Sequence, residues 1–384
     1  MNNCPVCESL ETMIVIDVEH YPISIFPHKL EESMHLPTDR ILVYVCKNCG
    51  HRYLNGSVHL DYIYKIAYNN YPHQYGSETF SYREEFSRFF SDLGDLNVRD
   101  LLEIGSNNFS NLSEFTNIAD NVTGISLEAH SKQYGNVNLI QGSFDTFDFD
   151  VNYSIIISRF VLEHVIDLRS HLAKAYDILN ISGYLLVQVP NPDKMFANNL
   201  FNVLAHEHLH YFTENSLKTL FSLNGFEIIE FLNSDSLLIF AKKSARTENK
   251  FINKNLQISS TQTLLDIDKF KTIGNFINSE FNSNRKVIVY GAGLNLIGLF
   301  WANPLLSTNR KLLIVDDNVL IIGKCMPNSN IVIQLLDKIQ IDENSTIVIL
   351  ANTAYQSLIL EKLNKIGLRG RLFNANLVEL NFFN

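Results

Sequence analysis

Apolar positions fall into two series of short buried runs separated by amphipathic stretches. In the first, Leu101-Leu102-Glu103-Ile104 reads as a strand entering a Gly105-Ser106-Asn107-Asn108 turn. Val122-Thr123-Gly124-Ile125, Ser154 to Ser158 and Tyr184 to Val189 read as further strands, the last stopped by Pro190-Asn191-Pro192. Ahead of them, Arg83 to Leu93 places Phe86, Phe89, Phe90 and Leu93 at helical spacing and ends at Gly94. His171 to Leu179 predicts a second helix, broken at Ser182-Gly183. The second series opens with Val287 to Tyr290 before Gly291-Ala292-Gly293 and continues with Leu312 to Val315 and Thr346 to Leu350. Alternating strands and helices predict mostly parallel sheets. The polar stretch from Lys242 to about Asn284 joins the two series and is partly helical (Leu264, Ile267, Phe270, Ile273, Phe276, Ile277). Ahead of both lie a cysteine-bearing segment to about residue 60 and a Tyr-rich stretch from Tyr62 to Tyr82.

The 384 residues suffice for two or three domains. With 46% apolar and 19% charged residues, the chain has a globular composition. A net charge of −10 removes any electrostatic case for nucleic acid as a partner, while leaving local anion sites open. No apolar run is long enough to span a bilayer, so no membrane partner is expected. Met1 to Pro5 lacks the basic and apolar regions of a signal peptide, so the expected location is cytoplasmic.

That compartment changes the reading of the cysteines. Cys4-Pro5-Val6-Cys7 and Cys46-Lys47-Asn48-Cys49 form two C-x-x-C pairs. Under reducing conditions such pairs favour a metal over disulfides. Four thiolates complete a tetrahedral Zn²⁺ shell with no open position, which makes the site structural. Four buried free cysteines are the alternative. Cys325 stands alone and reads as a core residue.

A carboxylate at a strand end, then a glycine turn, suits a ligand at the carboxyl edge of a parallel sheet. Glu103 there could meet the ammonium of a methionine moiety. By itself the pattern is equally an ordinary strand–helix turn. The order that follows, Phe160-Val161-Leu162-Glu163-His164-Val165 and then Leu179 to Val187, resembles the class I S-adenosylmethionine (SAM)-dependent methyltransferases. Adding the cysteine pairs, His206-Glu207-His208-Leu209 with Tyr211-Phe212, Tyr290-Gly291-Ala292, Asp316-Asp317-Asn318 and Gly323 to Pro327, the chain resembles the three-domain zinc-containing sugar C-methyltransferases that act on nucleotide-linked keto-deoxysugars.

The resemblance implies an α/β protein with a zinc-binding module (1–60), a class I methyltransferase domain of Rossmann-like fold (61–244) and a C-terminal Rossmann-like domain (245–384). It implies SAM and Zn²⁺ as cofactors and a nucleotide-linked sugar as substrate. The catalytic residues it implies are His208 as base, Glu207 to orient or charge-match that ring, His164 and Tyr75, with Tyr71 as an alternative alignment for Tyr75. Glu103, Gly105, Ser106, Asn107, Ser126, Glu128 and Asp145 are the implied cofactor positions, and Cys4, Cys7, Cys46 and Cys49 the metal ligands. The chain departs from the family pattern at Asn108-Phe109 (commonly Asp-Gly), at Ser126 (commonly acidic) and at Ala205 (commonly tyrosine). These departures motivate an alternative: a nucleotide-sugar-binding homologue whose methyl transfer is altered or lost, O-methylation included. A third reading, an NAD-dependent oxidoreductase, rests on Gly291-Ala292-Gly293 and Asp316-Asp317, but Leu296 stands where the fingerprint requires its third glycine. His210 carries no family role and reads as structural or exposed. The oligomeric state is not readable from the sequence.

Overall fold

The computed structural model describes residues 3–65, 78–94, 96, 98–106, 112–127, 131–197, 204–244, 267–351, 355–367 and 369–380. Tyr71, Tyr75, Asn107 to Phe109 and Glu128 lie outside them.

The described residues form three sheets. The central one has eight strands: β4 (Val98–Ile104), β5 (Ala119–Ser126), β6 (Lys132–Tyr134), β7 (Val137–Gln141), β8 (Tyr153–Arg159), β9 (Leu179–Pro190), β11 (Phe226–Asn233) and β12 (Ser236–Lys243), ordered β11-β12-β9-β8-β4-β5-β7-β6. Strands β9, β8, β4, β5 and β7 run parallel, and the outer pairings β11–β12, β12–β9 and β6–β7 are antiparallel. Ile155, Ile156 and Ile157 on β8 are fully buried, as a strand covered by helices on both faces requires. Chain order reverses at β4, the place where open parallel sheets hold ligands.

Helix Glu78–Asp92 packs Phe86 and Phe89 under this sheet, and Glu85 accepts a bond from the Ser236 amide (3.2 Å). Asp167 caps helix Leu168–Ile178 by accepting from the Ser170 amide, and Thr213 with Ser216 forms a capping box on helix Glu214–Leu223. The first of these helices ends earlier than the sequence predicts. Leu179 already pairs with Tyr153, and a register shift with Ser182 in the left-handed region (φ 62°) absorbs the residues before Tyr184.

The N-terminal sheet is antiparallel: β1 (Thr12–Pro22), β2 (Thr38–Cys46), β3 (Arg52–Leu54) and, from far along the chain, β10 (His210–Tyr211). The C-terminal sheet is parallel: β13 (Lys286–Tyr290), β14 (Leu312–Val315), β15 (Ile333–Gln334), β16 (Ser345–Ile349) and β17 (Arg371–Phe373), ordered β15-β14-β13-β16-β17. Its helix Leu294–Ala302 is apolar nearly throughout and shares one core with Ile16, Val18, Ile41 and Val43 of the N-terminal sheet. The Trp301 indole donates to the Glu19 carbonyl (2.6 Å), and His28 and Cys325 exchange backbone bonds of 2.7 and 2.8 Å. No helix of the described residues is long and apolar enough to cross a membrane.

Candidate functional site

The turn after β4 is built around Gly105, whose φ of +80° suits glycine and whose added Cβ would stand 2.3 Å from Val161 Cγ2. Its amide donates to the Ile125 carbonyl (2.8 Å), tying the turn to β5. Ser106 lies over Gly124, where a Cβ would come within 2.1 Å of the serine oxygen. Three buried polar atoms on β4, its turn and β8 have no partner among the described residues: Glu103 Oε2, Ser106 Oγ and Ser158 Oγ. Ser158 pairs with Ile104 on the neighbouring strand. Buried polar groups in folded proteins normally have partners, so such a group at a strand-end crevice is chemically suited to a ligand.

Glu103 is less open than its motif suggests. Arg159 donates from Nε to Oε1 (2.7 Å) and stands 2.7 Å from Glu114, with its guanidinium 4.6 Å from the centre of the Phe86 ring. Burial pushes the Glu103 carboxyl upward, and Arg159 opposes it. Arg159 is a site residue that sequence reasoning missed; the signal was an arginine closing an otherwise apolar strand. Ser126 sits buried at the end of β5. Asp145 is engaged by His171 Nδ1 at 2.7 Å.

Beyond β8, the turn Leu162–His164 meets the returning segment 206–211. The Leu209 amide donates to the Glu163 carbonyl, and His164 Nδ1 donates to the Glu207 carbonyl, both at 2.8 Å. This clasp sets the His164 and His208 rings 5.1 Å apart, with Tyr211 edge-on to His208 at 6.4 Å. With Nδ1 bound to a carbonyl, His164 Nε2 carries the lone pair. Burial, reinforced by His208, holds this ring down at about 3. The Glu163 carboxyl is buried, with Oε2 unpartnered among the described residues and Oε1 3.9 Å from His164 Nε2. Burial lifts it to about 8, with Glu207 adding to the rise, and burial lifts Glu207 to about 7. His210, expected to be structural or exposed, is buried; burial keeps its ring at about 4.

The four paired cysteines also converge, with all four sulfurs within 4.8 Å of one another and the shorter separations 3.5 and 3.6 Å. Sulfurs about 2.3 Å from a central ion would stand about 3.8 Å apart along a tetrahedron's edges, so the donor set fits a closed four-thiolate site. The Asn48 side chain points an N–H at Cys7 Sγ (3.6 Å), and Asn215 donates to the Cys49 carbonyl (2.8 Å).

In the C-terminal sheet, the Ala292 amide of the glycine turn donates to Asp316 Oδ2 (2.8 Å), and the Asn318 amide to Asp316 Oδ1 (2.9 Å). A carboxylate thus occupies the amide that a dinucleotide pyrophosphate would seek.

Residues 75–231, most of the central unit, match the family model described as a methyltransferase domain. The chain therefore carries a methyltransferase domain, on a mixed α/β Rossmann-like sheet of class I type. Within that class it is similar to the C-methyltransferase NovU of Streptomyces niveus, 26% identical over 165 residues. The match covers 40% of this chain and 38% of NovU, so the chain spans about two fifths of that relative's length. Among solved structures, the N-methyltransferase NodS of Bradyrhizobium japonicum WM9 aligns with 44% of this chain and 98% of its own at 13% identity and a TM-score of 0.34. An S-adenosylmethionine dependent methyltransferase of Mesorhizobium loti aligns with 41% and 97% at 13% identity and a TM-score of 0.34.

Proposed function

We propose that this protein is a SAM-dependent methyltransferase that places a methyl group on a carbon of a nucleotide-linked keto sugar, with a structural zinc at its cysteine cluster. The observation that carries the reading is the clasp between Glu163-His164 and Glu207-His208, which gathers two imidazoles and two carboxyls beside a methyltransferase domain. The similarity to NovU, a C-methyltransferase, supports transfer to carbon.

Glu103 Oε2, Ser106 and Ser158 would hold SAM around the Gly105 turn, with Ser126; Asn107 and Glu128, outside the described residues, are the further candidates. Bound there, SAM supplies an electrophilic methyl group. Its transfer needs in-line positioning more than covalent help from the protein. Methylation beside a ketone needs a base for the α proton, and we assign that base to His208. The neighbouring His164 ring is held too acidic to be an effective base near pH 7, and serves as a neutral partner of fixed tautomer. Glu207 orients His208 or balances its charge, and Tyr75, outside the described residues, is the remaining catalytic candidate. Cys4, Cys7, Cys46 and Cys49 would hold zinc with no position left for substrate. The C-terminal unit would grip the nucleotide-sugar; Asp316 on the Ala292 amide argues against a nicotinamide dinucleotide there.

Calorimetric titration with SAM, NAD and a nucleotide-sugar separates the readings, with binding of SAM and the sugar expected. Solvent-deuterium exchange at the α carbon of a nucleotide-linked keto sugar, run without SAM, isolates the base. His208→Ala should slow that exchange roughly a hundredfold or more with SAM affinity unchanged. Exchange as fast as wild type assigns the base elsewhere, and methylation of a hydroxyl without any exchange replaces C-transfer with O-transfer.

A further inference from the structure

His51 and His210 stand between the cysteine cluster and the catalytic clasp, and neither has a role in the reading above. His51 Nε2 lies 3.1 Å from His210 Nδ1, and His210 Nε2 lies 2.8 Å from the Val165 carbonyl. A carbonyl only accepts, so His210 Nε2 carries a hydrogen. In the neutral ring Nδ1 then accepts, and His51 Nε2 must donate. One tautomer of each ring satisfies the chain His51→His210→Val165.

The chain is tied at Val165 by its hydrogen bond and at His51 through the backbone, His51 Nδ1 being buried without a partner among the described residues. At one end, the Cys46 amide donates to the His51 carbonyl (2.8 Å) in the turn that carries Cys46 and Cys49. At the other, Val165 follows His164 directly, and His210 follows His208-Leu209. The His51 ring is fully buried, stacked on Tyr53 (5.9 Å, 8°) and tilted against Phe212 (5.0 Å). Apolar side chains would fill that slot without desolvating two imidazoles, so packing alone does not explain histidine at both positions. The Cys49 carbonyl bonded by Asn215 and the Val6 carbonyl bonded by Arg169 (3.2 Å) seat the cluster on the same part of the methyltransferase unit.

We propose that His51 and His210 are positioning residues that couple the cysteine cluster to the catalytic imidazoles, so that metal at the cluster fixes where His164 and His208 stand as well as folding its own module. This rests on the reading of His164 and His208 as the site's working pair. The consequence is a metal requirement for catalysis in a site where the metal touches no substrate.

The test is a long-range ¹H–¹⁵N spectrum of histidine-labelled protein, which reads the tautomer of each ring, alongside zinc stoichiometry and SAM calorimetry. Wild type should show His210 and His51 as Nε2–H tautomers. His210→Phe keeps the volume and removes the bonds; it should shift the His164 and His208 signals while zinc content and SAM affinity stay unchanged. His210→Gln, which keeps a donor within reach of Val165, should restore them. Chelation of zinc from wild type should move the same two signals in the same direction. If His164 and His208 stay in place in His210→Phe, or in chelated protein that still binds SAM, the coupling is refuted. Should His210→Phe fail to fold, the glutamine variant and the chelated wild type decide by the same signals. Wild type that binds no SAM but shows the coupled shifts overturns the function proposed above and leaves this coupling standing.

Discussion

Glu163→Gln replaces a buried carboxyl by a neutral group of the same shape, and its effect should depend on pH in a calculable way. Burial raises the Glu163 carboxyl from an ordinary 4.5 to about 8, and the nearby Glu207 adds to the rise. Below pH 4.5 the folded and unfolded chains both hold the proton. Between 4.5 and about 8 only the folded chain holds it, so unfolding releases a proton and wild-type stability falls as pH rises. At about 1.4 kcal/mol per tenfold change in proton affinity, the full loss approaches roughly 5 kcal/mol. Glutamine cannot ionise and escapes it. His164, His206 and His210, all held below the ordinary histidine range by burial, lose stability in the opposite direction, as pH falls through 6.5. They are present in both proteins and cancel in the difference. Urea denaturation of wild type and variant at pH 5, 6.5 and 8.5 should therefore show a gap widening in favour of the variant by at least about 2 kcal/mol. Parallel stability curves would mean that Glu163 ionises normally and that the interior around it is wetter than the packing implies.

Gly105→Ala should destabilise the methyltransferase unit by about 2–4 kcal/mol, from left-handed strain plus the overlap with Val161. The double variant with Val161→Ala should recover part of that in thermal denaturation. Arg159→Met leaves Glu103 and Glu114 facing each other in a buried setting and should cost about 3–5 kcal/mol by urea titration. Cys46→Ser should release or weaken the one zinc per chain expected by elemental analysis and lower the melting temperature of the N-terminal module. Full retention of zinc by that variant would remove Cys46 from the ligand set.

The parallel sheets were legible because their strands are short, continuous apolar runs. Leu101 to Ile104, Ser154 to Ser158 and Val287 to Tyr290 fall within β4, β8 and β13. Helix Glu78–Asp92 stops just before Gly94 because glycine takes the left-handed turn there (φ 77°). Helix Leu168–Ile178 stops one residue before the expected Leu179, because Leu179 pairs with Tyr153 of β8. The N-terminal sheet went unseen. The alternation of buried Ile16 and Val18 with exposed Asp17 and Glu19 in β1, and the apolar run Ile41 to Cys46 of β2, are strand patterns that went unread, and β10 is two residues whose partner lies far away in sequence. At the site, Glu103, Gly105 and the His164 and His208 motifs stood out through local order. Arg159, the ionisation of Glu163 and the His51–His210 contact did not, since each depends on a partner from another element.

The pairing of β3 with β10 also bears on how the chain comes together. The β3 edge stays uncovered until a segment about 160 residues downstream, the His51–His210 separation, has arrived. An open strand edge invites pairing with another chain. During synthesis at about 5–20 residues per second, that edge waits on the order of ten seconds or more before its own strand emerges. Closing so long a loop makes this contact a late and slow one. Arg52 alone puts a charge on that edge in the interval, since its ion-pair partner Asp193 is also made far downstream. The candidate site is thus incomplete until β10 (His210–Tyr211), more than half of the way along the 384-residue chain, has been made. Truncated chains ending before His210 should carry the cysteine pairs and the first strands of the central sheet, yet remain inert and prone to self-association.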